Sequence, residues 1–392
     1  MTYRAADRLK NVKMSSIRIM MEKVQNLRDQ GKTVISLSAG EPDFPTPERI
    51  KEATKKALDQ NQTHYSSNRG NPKLRQEISR ALKEQMQLDY DFEKEILITH
   101  GCQEALHNVI HSIVNPKDEV IIFTPAFVSY VNLVEMCQGI PVELPLKAEE
   151  NFQINPEQLR KAITPQTKLI IMNNPNNPTG ALYHKELLEE ICQIICEKDL
   201  LVLSDEVYSS ITYDQEFTSI ASFPGMKERT FVINGFSKIY AMTGWRLGYV
   251  ACDQSMMDAV IRTHQYCTTS CSSFSQVGLA EAMSSLEVKK DVDNMVKAFS
   301  KRREEMMTQI DQIDGLDYIQ PQGAFYMMID VSKLGLNGDE FALRLLEQEL
   351  VACVPASGFG KEYQNFVRLS FASSMADIQE GCRRIAHFCQ NL

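Results

Sequence analysis

TFVINGFSKIYAMTGWRLGYVACD, residues 230–253, holds two short apolar runs joined by a turn that carries one lysine, Lys238, and one arginine, Arg246. Runs of the same kind recur along the chain: EILITHG (95–101), EVIIFTP (119–125), KLIIMNNP (168–175) and LLVLSDE (200–206). Stretches of helical period, such as CQEALHNVIHSIV and KELLEEICQIICEK, lie between most of them. Continuous apolar runs alternating with helices predict an α/β fold, a three-layer structure whose mostly parallel sheet is covered on both faces. The tail reads differently. From about Val288 it has long charged helices, then PQGAFYMMIDV and NFVRLSFASS, which predict a smaller α+β part. The expected division is residues 46–285 for the large domain and 1–45 plus 286–392 for the small one.

In such sheets ligands lie beyond the carboxyl ends of the strands, so the residues that follow each run are the candidates. His100, Gly101, Cys102 and Gln103 follow EILIT and open a helix, while Thr124, Pro125, Ala126 and Phe127 follow EVIIF. KLIIM gives NNPNNPTG with Asn177, LLVLS gives Asp205, Glu206 and Tyr208, and TFVIN gives the segment with Lys238. Taken singly, each has a plainer reading. A lysine is usually solvated, an Asp-Glu pair usually caps a helix, a phenylalanine usually fills a core, and an Asn/Pro-rich stretch is usually a loop.

As a set they meet the needs of one cofactor. A desolvated lysine loses its proton more readily and can form a Schiff base with an aldehyde. Pyridoxal phosphate asks further for a carboxylate at its ring nitrogen, donors at its 3-oxygen, an aromatic on its face and a phosphate cradle. Asp205 is the candidate carboxylate, Tyr208 a candidate donor at the 3-oxygen, and Phe127 the candidate aromatic. The helix start at Gly101, Cys102 and Gln103, with the fixed charge of Arg246, supplies the cradle. A cis proline in NNPNNPTG would aim Asn177 inward.

Composition narrows the alternatives. The 392 residues are 43% hydrophobic and 24% charged, with net charge −9 and a pI of about 5.4, and no basic stripe suggests nucleic acid. The opening MTYRAADRLKNVKMSSIRIMMEK lacks the apolar core of a signal peptide, and no run is long enough to span a membrane, so a cytoplasmic location is expected. Ten cysteines are scattered, and neither close pair, Cys192/Cys196 or Cys267/Cys271, has the spacing of a zinc motif; no metal is expected. No strand is followed by GxGxxG, which argues against a nicotinamide enzyme.

These motifs resemble those of the class I/II, fold-type I aminotransferases, above all the branch that holds bacterial aspartate and aromatic aminotransferases. SAGEPDFPTP (38–47), HYSSNRGNPKLR (64–75), ITHGCQEAL (98–106), NNPNNPTG (173–180), SDEVYSSITYD (204–214), NGFSKIYAMTGWRLGY (234–249) and FVRLSFASS (366–374) carry the resemblance in family order. It implies that Lys238 holds the cofactor as a Schiff base and shuttles the proton, with Asp205 at the ring nitrogen. It places Asn177 and Tyr208 at the 3-oxygen, Phe127 on the ring, and Gly101, Cys102, Gln103 and Arg246 at the phosphate. It makes Arg368 the clamp for the substrate α-carboxylate, beside Asn177 and Gly40. Tyr65 would reach the phosphate of the other subunit, implying a homodimer.

Some positions depart from the pattern. Gly235 stands where many members have serine, Cys102-Gln103 replace commoner small hydroxyl residues, and Cys271 lies in a segment expected to approach a neighbouring active site. The resemblance implies ping-pong transamination between an L-amino acid and a 2-oxo acid. β-Elimination as a carbon–sulfur lyase is the alternative on the same scaffold, and a non-catalytic regulator that binds the cofactor is a further one. A dicarboxylate donor would need another cation, for which Arg18, Arg262 and His111 are candidates.

Overall fold

The apolar runs of the first half lie side by side in the computed structural model, which describes residues 6–10, 12 and 16–392. Strand β1 (Ile35–Ser36) belongs to a small pairing elsewhere. The large sheet is built from β2 (Ile96–Thr99), β3 (Glu119–Thr124), β4 (Ile140–Pro145), β5 (Thr167–Asn173), β6 (Leu201–Asp205), β7 (Thr230–Gly235) and β8 (Gly248–Ala251), in the order β2-β8-β7-β6-β5-β3-β4. Successive residues of each strand serve opposite faces. Val120 and Ile122 of β3 enter one core with the Gly101–Ile113 and Gln254–Cys267 helices, and Ile121 and Phe123 enter another with the Lys185–Glu197 helix. That double burial is why the strands read as unbroken apolar runs.

Only β8 runs antiparallel, to both β2 and β7. The twelve residues between β7 and β8 carry only a short helix, Phe236–Ile239, and a turn, so the chain comes back at the same end of the sheet. A parallel return needs a crossover, usually through a full helix. The reversal sets Lys238 and Arg246 at the carboxyl end with the other candidates. Strand β4, IPVELP, was not among the runs read from the sequence. It carries two prolines and lies at the sheet edge, where the missing N–H groups are tolerated.

The tail forms an antiparallel sheet from β9 (Asp317–Tyr318), β10 (Tyr326–Asp330), β12 (Val354–Pro355) and β13 (Phe366–Ser370), while β11 (Val351–Ala352) pairs parallel with β1. One core joins Met20, Val24 and Val34 to Phe299, Phe325, Phe341 and Phe388, so the N-terminal segment packs on the C-terminal helices. Among the described residues no helix is long and apolar enough to cross a membrane.

Candidate active site

Beyond the carboxyl ends of β2, β3, β5, β6 and β7 opens a cavity of about 810 Å³. Its walls include Gly40, Cys102, Gln103, Phe127, Tyr130, Asn177, Asp205, Tyr208, Lys238, Arg246 and Arg368. Lys238 sits on the Phe236–Ile239 helix, half-buried, and its Nζ donates to the Gly40 carbonyl. Burial pushes its ammonium down to about 8, with Arg368 and Arg246 adding to the push and Glu41 opposing it. An amine so placed holds its proton loosely near neutral pH, as a nucleophile and proton carrier requires.

The cradle at the start of the Gly101–Ile113 helix depends on close approaches. Gly101 has φ +73°, and a Cβ there would lie 2.6 Å from Arg246 Nη2. Any side chain at 101 would displace the guanidinium, so glycine is needed for both backbone and space. Arg246 Nη1 donates to the Thr243 carbonyl at 2.9 Å, which braces the arginine beside the helix start. Gly235 is the counterpart. A Cβ there would meet Cys102 Sγ at 2.7 Å and the Gly248 backbone at 3.0 Å, so the sulfur of Cys102 occupies the room a serine would use. Gly235→Ser is therefore expected to cost about 1–3 kcal/mol by overpacking, and adding Cys102→Gly is expected to restore part of it. Thermal unfolding checks this, and an unchanged melting temperature for Gly235→Ser would refute the steric account.

Asp205 ends β6 and is buried; Tyr130 donates its hydroxyl to Oδ2 at 2.8 Å and the Val207 N–H donates to Oδ1 at 3.3 Å. Burial pushes its carboxyl up to about 6, although those two bonds and Lys238 pull it down. Across the cavity Arg368 of β13 is 1% exposed and carries no carboxylate partner among the described residues. Its Nη1 donates to Asn177 Oδ1 at 2.9 Å and its Nη2 to the Ser38 carbonyl at 3.0 Å, while Nε has no partner. Tyr326 lies under the guanidinium at 4.3 Å, and its hydroxyl bonds that of Tyr208 at 2.9 Å. A buried cation held only by neutral groups is costly, and an incoming anion relieves that cost.

Residues 32–385 match the family model for aminotransferase class I and II. The chain belongs to that family. It is 40% identical to the aspartate aminotransferase of Pyrococcus abyssi, over 97% of either chain. It is 38% identical to an aromatic-amino-acid aminotransferase of Thermococcus litoralis, again over 97% of both. Among solved structures, the aspartate aminotransferase of Thermus thermophilus with maleate superposes with a TM-score of 0.94 at 35% identity, covering 98% of this chain and 100% of that one.

The aminotransferase uses pyridoxal phosphate, and its residues fit that group. The cradle beside Gly101 has no room for a side chain, the Asp205 carboxylate is buried with no cation paired to it among the described residues, and Lys238 is a loosely protonated amine in the same cavity. The NNPNNPTG turn has two cis bonds, Asn174–Pro175 and Asn177–Pro178, and Asn177 faces the cavity.

The remaining candidates lie outside this cavity. Tyr65 is 86% exposed and lies outside the cavity of its own chain. Arg18 is exposed on the Ser16–Asp29 helix, Arg262 lines a separate shallow depression with His107 and Tyr266, and His111 stacks on His107 at 3.8 Å; none of the three lines the cavity. Cys271 does not line it either, because its side chain is buried in the core beneath β2, with Sγ 3.7 Å from the Ile98 carbonyl. Sequence reasoning missed Tyr130, Tyr326 and Ser38. Tyr130 had a usable signal, being three residues beyond Phe127 and so on the same side of a first helical turn.

Proposed function

We propose that Lys238 is the covalent anchor and proton carrier of this aminotransferase, and that Arg368 selects substrates by their α-carboxylate. The reading rests on one observation: a desolvated amine, a buried carboxylate and two arginines surround a single cavity. Pyridoxal phosphate, when bound, supplies a carbonyl for amine exchange and a ring that draws off the electron pair left on the substrate α-carbon. Arg368 receives the α-carboxylate in its open valence, with Asn177 and Gly40 alongside. That contact would hold the α-carbon toward Lys238 Nζ, which as a free amine would take its proton and carry it. Asp205 would keep the ring nitrogen protonated, with its carboxylate oriented by the Tyr130 hydroxyl. Asn177 and Tyr208 would serve the 3-oxygen, Phe127 the ring face, and Gly101, Cys102, Gln103 and Arg246 the phosphate. A second oxo acid then reverses the proton path.

Arg368→Ala is expected to raise KM for amino acid and oxo acid alike by about 10–100-fold, the loss of a charge-assisted bond. Steady-state kinetics with both substrates decide it, and an unchanged KM would refute the assignment. The donor is read by adding single amino acids to the loaded enzyme and following conversion of the cofactor to its amine form by absorbance.

The aminotransferase is further proposed to be a homodimer in which Tyr65 of one protomer serves the phosphate of the other, for which the exposure of Tyr65 is the support. Sedimentation, together with the cofactor affinity of Tyr65→Phe, tests this; a monomer with normal affinity would exclude it. The division into residues 46–285 and 1–45 plus 286–392 belongs to the same reading, as does a cytoplasmic location, which suits ten unbridged cysteines.

A further inference from the structure

Behind the cradle lies a side-chain pair that the proposed chemistry does not use. Glu104, in the first turn of the Gly101–Ile113 helix, is buried and folds its carboxylate back to the helix start. Oε2 accepts from the His100 backbone N–H, and Oε1 accepts from His264 Nδ1 at 2.7 Å and Asn108 Nδ2 at 2.8 Å. His264 comes from the last turn of the Gln254–Cys267 helix, has no exposed surface, and its Nε2 has no partner among the described residues.

A buried carboxylate at this point has both a cost and a use. Burial pushes its pKa up, but the bonds from His264 and the His100 N–H outweigh that and hold it below its ordinary value. A lone anion one turn from a phosphate site would also repel the phosphate, and the imidazole bonded to it disperses that charge. The use is geometric. Glu104 ties down the amide just before Gly101, so the turn at φ +73° is held and the next amides, which the helix leaves without internal partners, stay beside the Arg246 guanidinium. His264 in turn fixes the Glu104 carboxylate from the neighbouring helix, 160 residues along the chain.

We propose that the Glu104–His264 pair is a positioning device for the cofactor phosphate, acting through the His100–Gly101 turn and touching no reacting atom. This rests on placing the phosphate at Gly101, Cys102 and Gln103, as proposed above. The test titrates cofactor-free enzyme with pyridoxal phosphate and, separately, with pyridoxal, which lacks the phosphate. Glu104→Ala is expected to weaken pyridoxal phosphate by about tenfold and pyridoxal by less than about twofold. Glu104→Gln, which keeps an acceptor, is expected to recover most of the loss. His264→Asn leaves Glu104 bonded to His100 and Asn108, so it carries the same comparison, with a smaller selective loss, if Glu104→Ala does not fold. Equal weakening of both ligands, or an unchanged affinity for pyridoxal phosphate, would overturn the proposal. Arg246→Ala separates the premise from the inference. If it too leaves the ratio of the two affinities unchanged, the phosphate placement falls and the proposal with it; if it lowers the ratio while Glu104→Ala does not, only the positioning role falls.

Discussion

Lys238→Ala is expected to lower kcat by about 10⁴-fold or more, because on the proposed role one change removes both the nucleophile and the proton carrier. No other amine of the described chain lines the cavity to replace it. Lys238→Arg is expected to be as inactive: a guanidinium does not lose its proton, whereas the Lys238 amine gives its up near pH 8. The same titration sets a pH dependence in the wild type. Cofactor capture by the cofactor-free enzyme needs the free amine, so its rate is expected to rise with pH and level off above about 8. Stopped-flow absorbance measures both effects. Turnover of Lys238→Ala within tenfold of wild type would remove Lys238 from the mechanism.

Asp205→Asn is expected to separate activity from stability. An amide does not hold the ring nitrogen protonated, and losing such a buried electrostatic partner typically costs about 10²–10³-fold in kcat. Yet a carboxyl that titrates near 6 instead of its ordinary 3.8 is a burden to the cofactor-free fold. Because the folded value is the higher one, the unfolded chain gives up this proton first as pH rises. The cost is absent below pH 3.8, grows between 3.8 and 6, and stands at about 3 kcal/mol at neutral pH. The asparagine variant without cofactor is therefore expected to melt higher than wild type at pH 7 and no higher near pH 4. Tyr130 can still donate to the amide oxygen, so that bond survives the change. A variant that is both fully active and no more stable would contradict the role given to Asp205. The conflict between a stable fold and a poised site is the usual one at catalytic groups.

How far the site could be read in advance depended on how local each signal was. Lys238, Asp205 and Asn177 each follow a strand whose apolar run is visible within a few residues, and all three line the cavity. Arg368 stood out through its resemblance to a family motif, not through its neighbourhood, since an arginine in an apolar strand gives no sign of what it faces. Tyr326 was missed for that reason: its bond to Tyr208 spans 118 residues. Arg18, Arg262 and His111 are candidates by charge and chain region, and neither says which side of a helix meets a cavity. Strand β4 went unread because its prolines weaken a strand pattern anywhere but at an edge, and edge position is a property of the whole sheet.

The sequence by itself determined the alternation of strand and helix, the sheet buried on both faces and the residues placed at the strand ends. Those features follow from periodicity and residue type over short stretches, where backbone geometry leaves little choice. Tertiary structure alone decided the reversal of β8, the meeting of Cys102 with Gly235, the Tyr130 bond to Asp205 across 75 residues, and the Glu104–His264 pair. Each depends on which helix packs over which strand and at what depth. That is settled by filling a common core, a condition on the whole chain that no short segment contains.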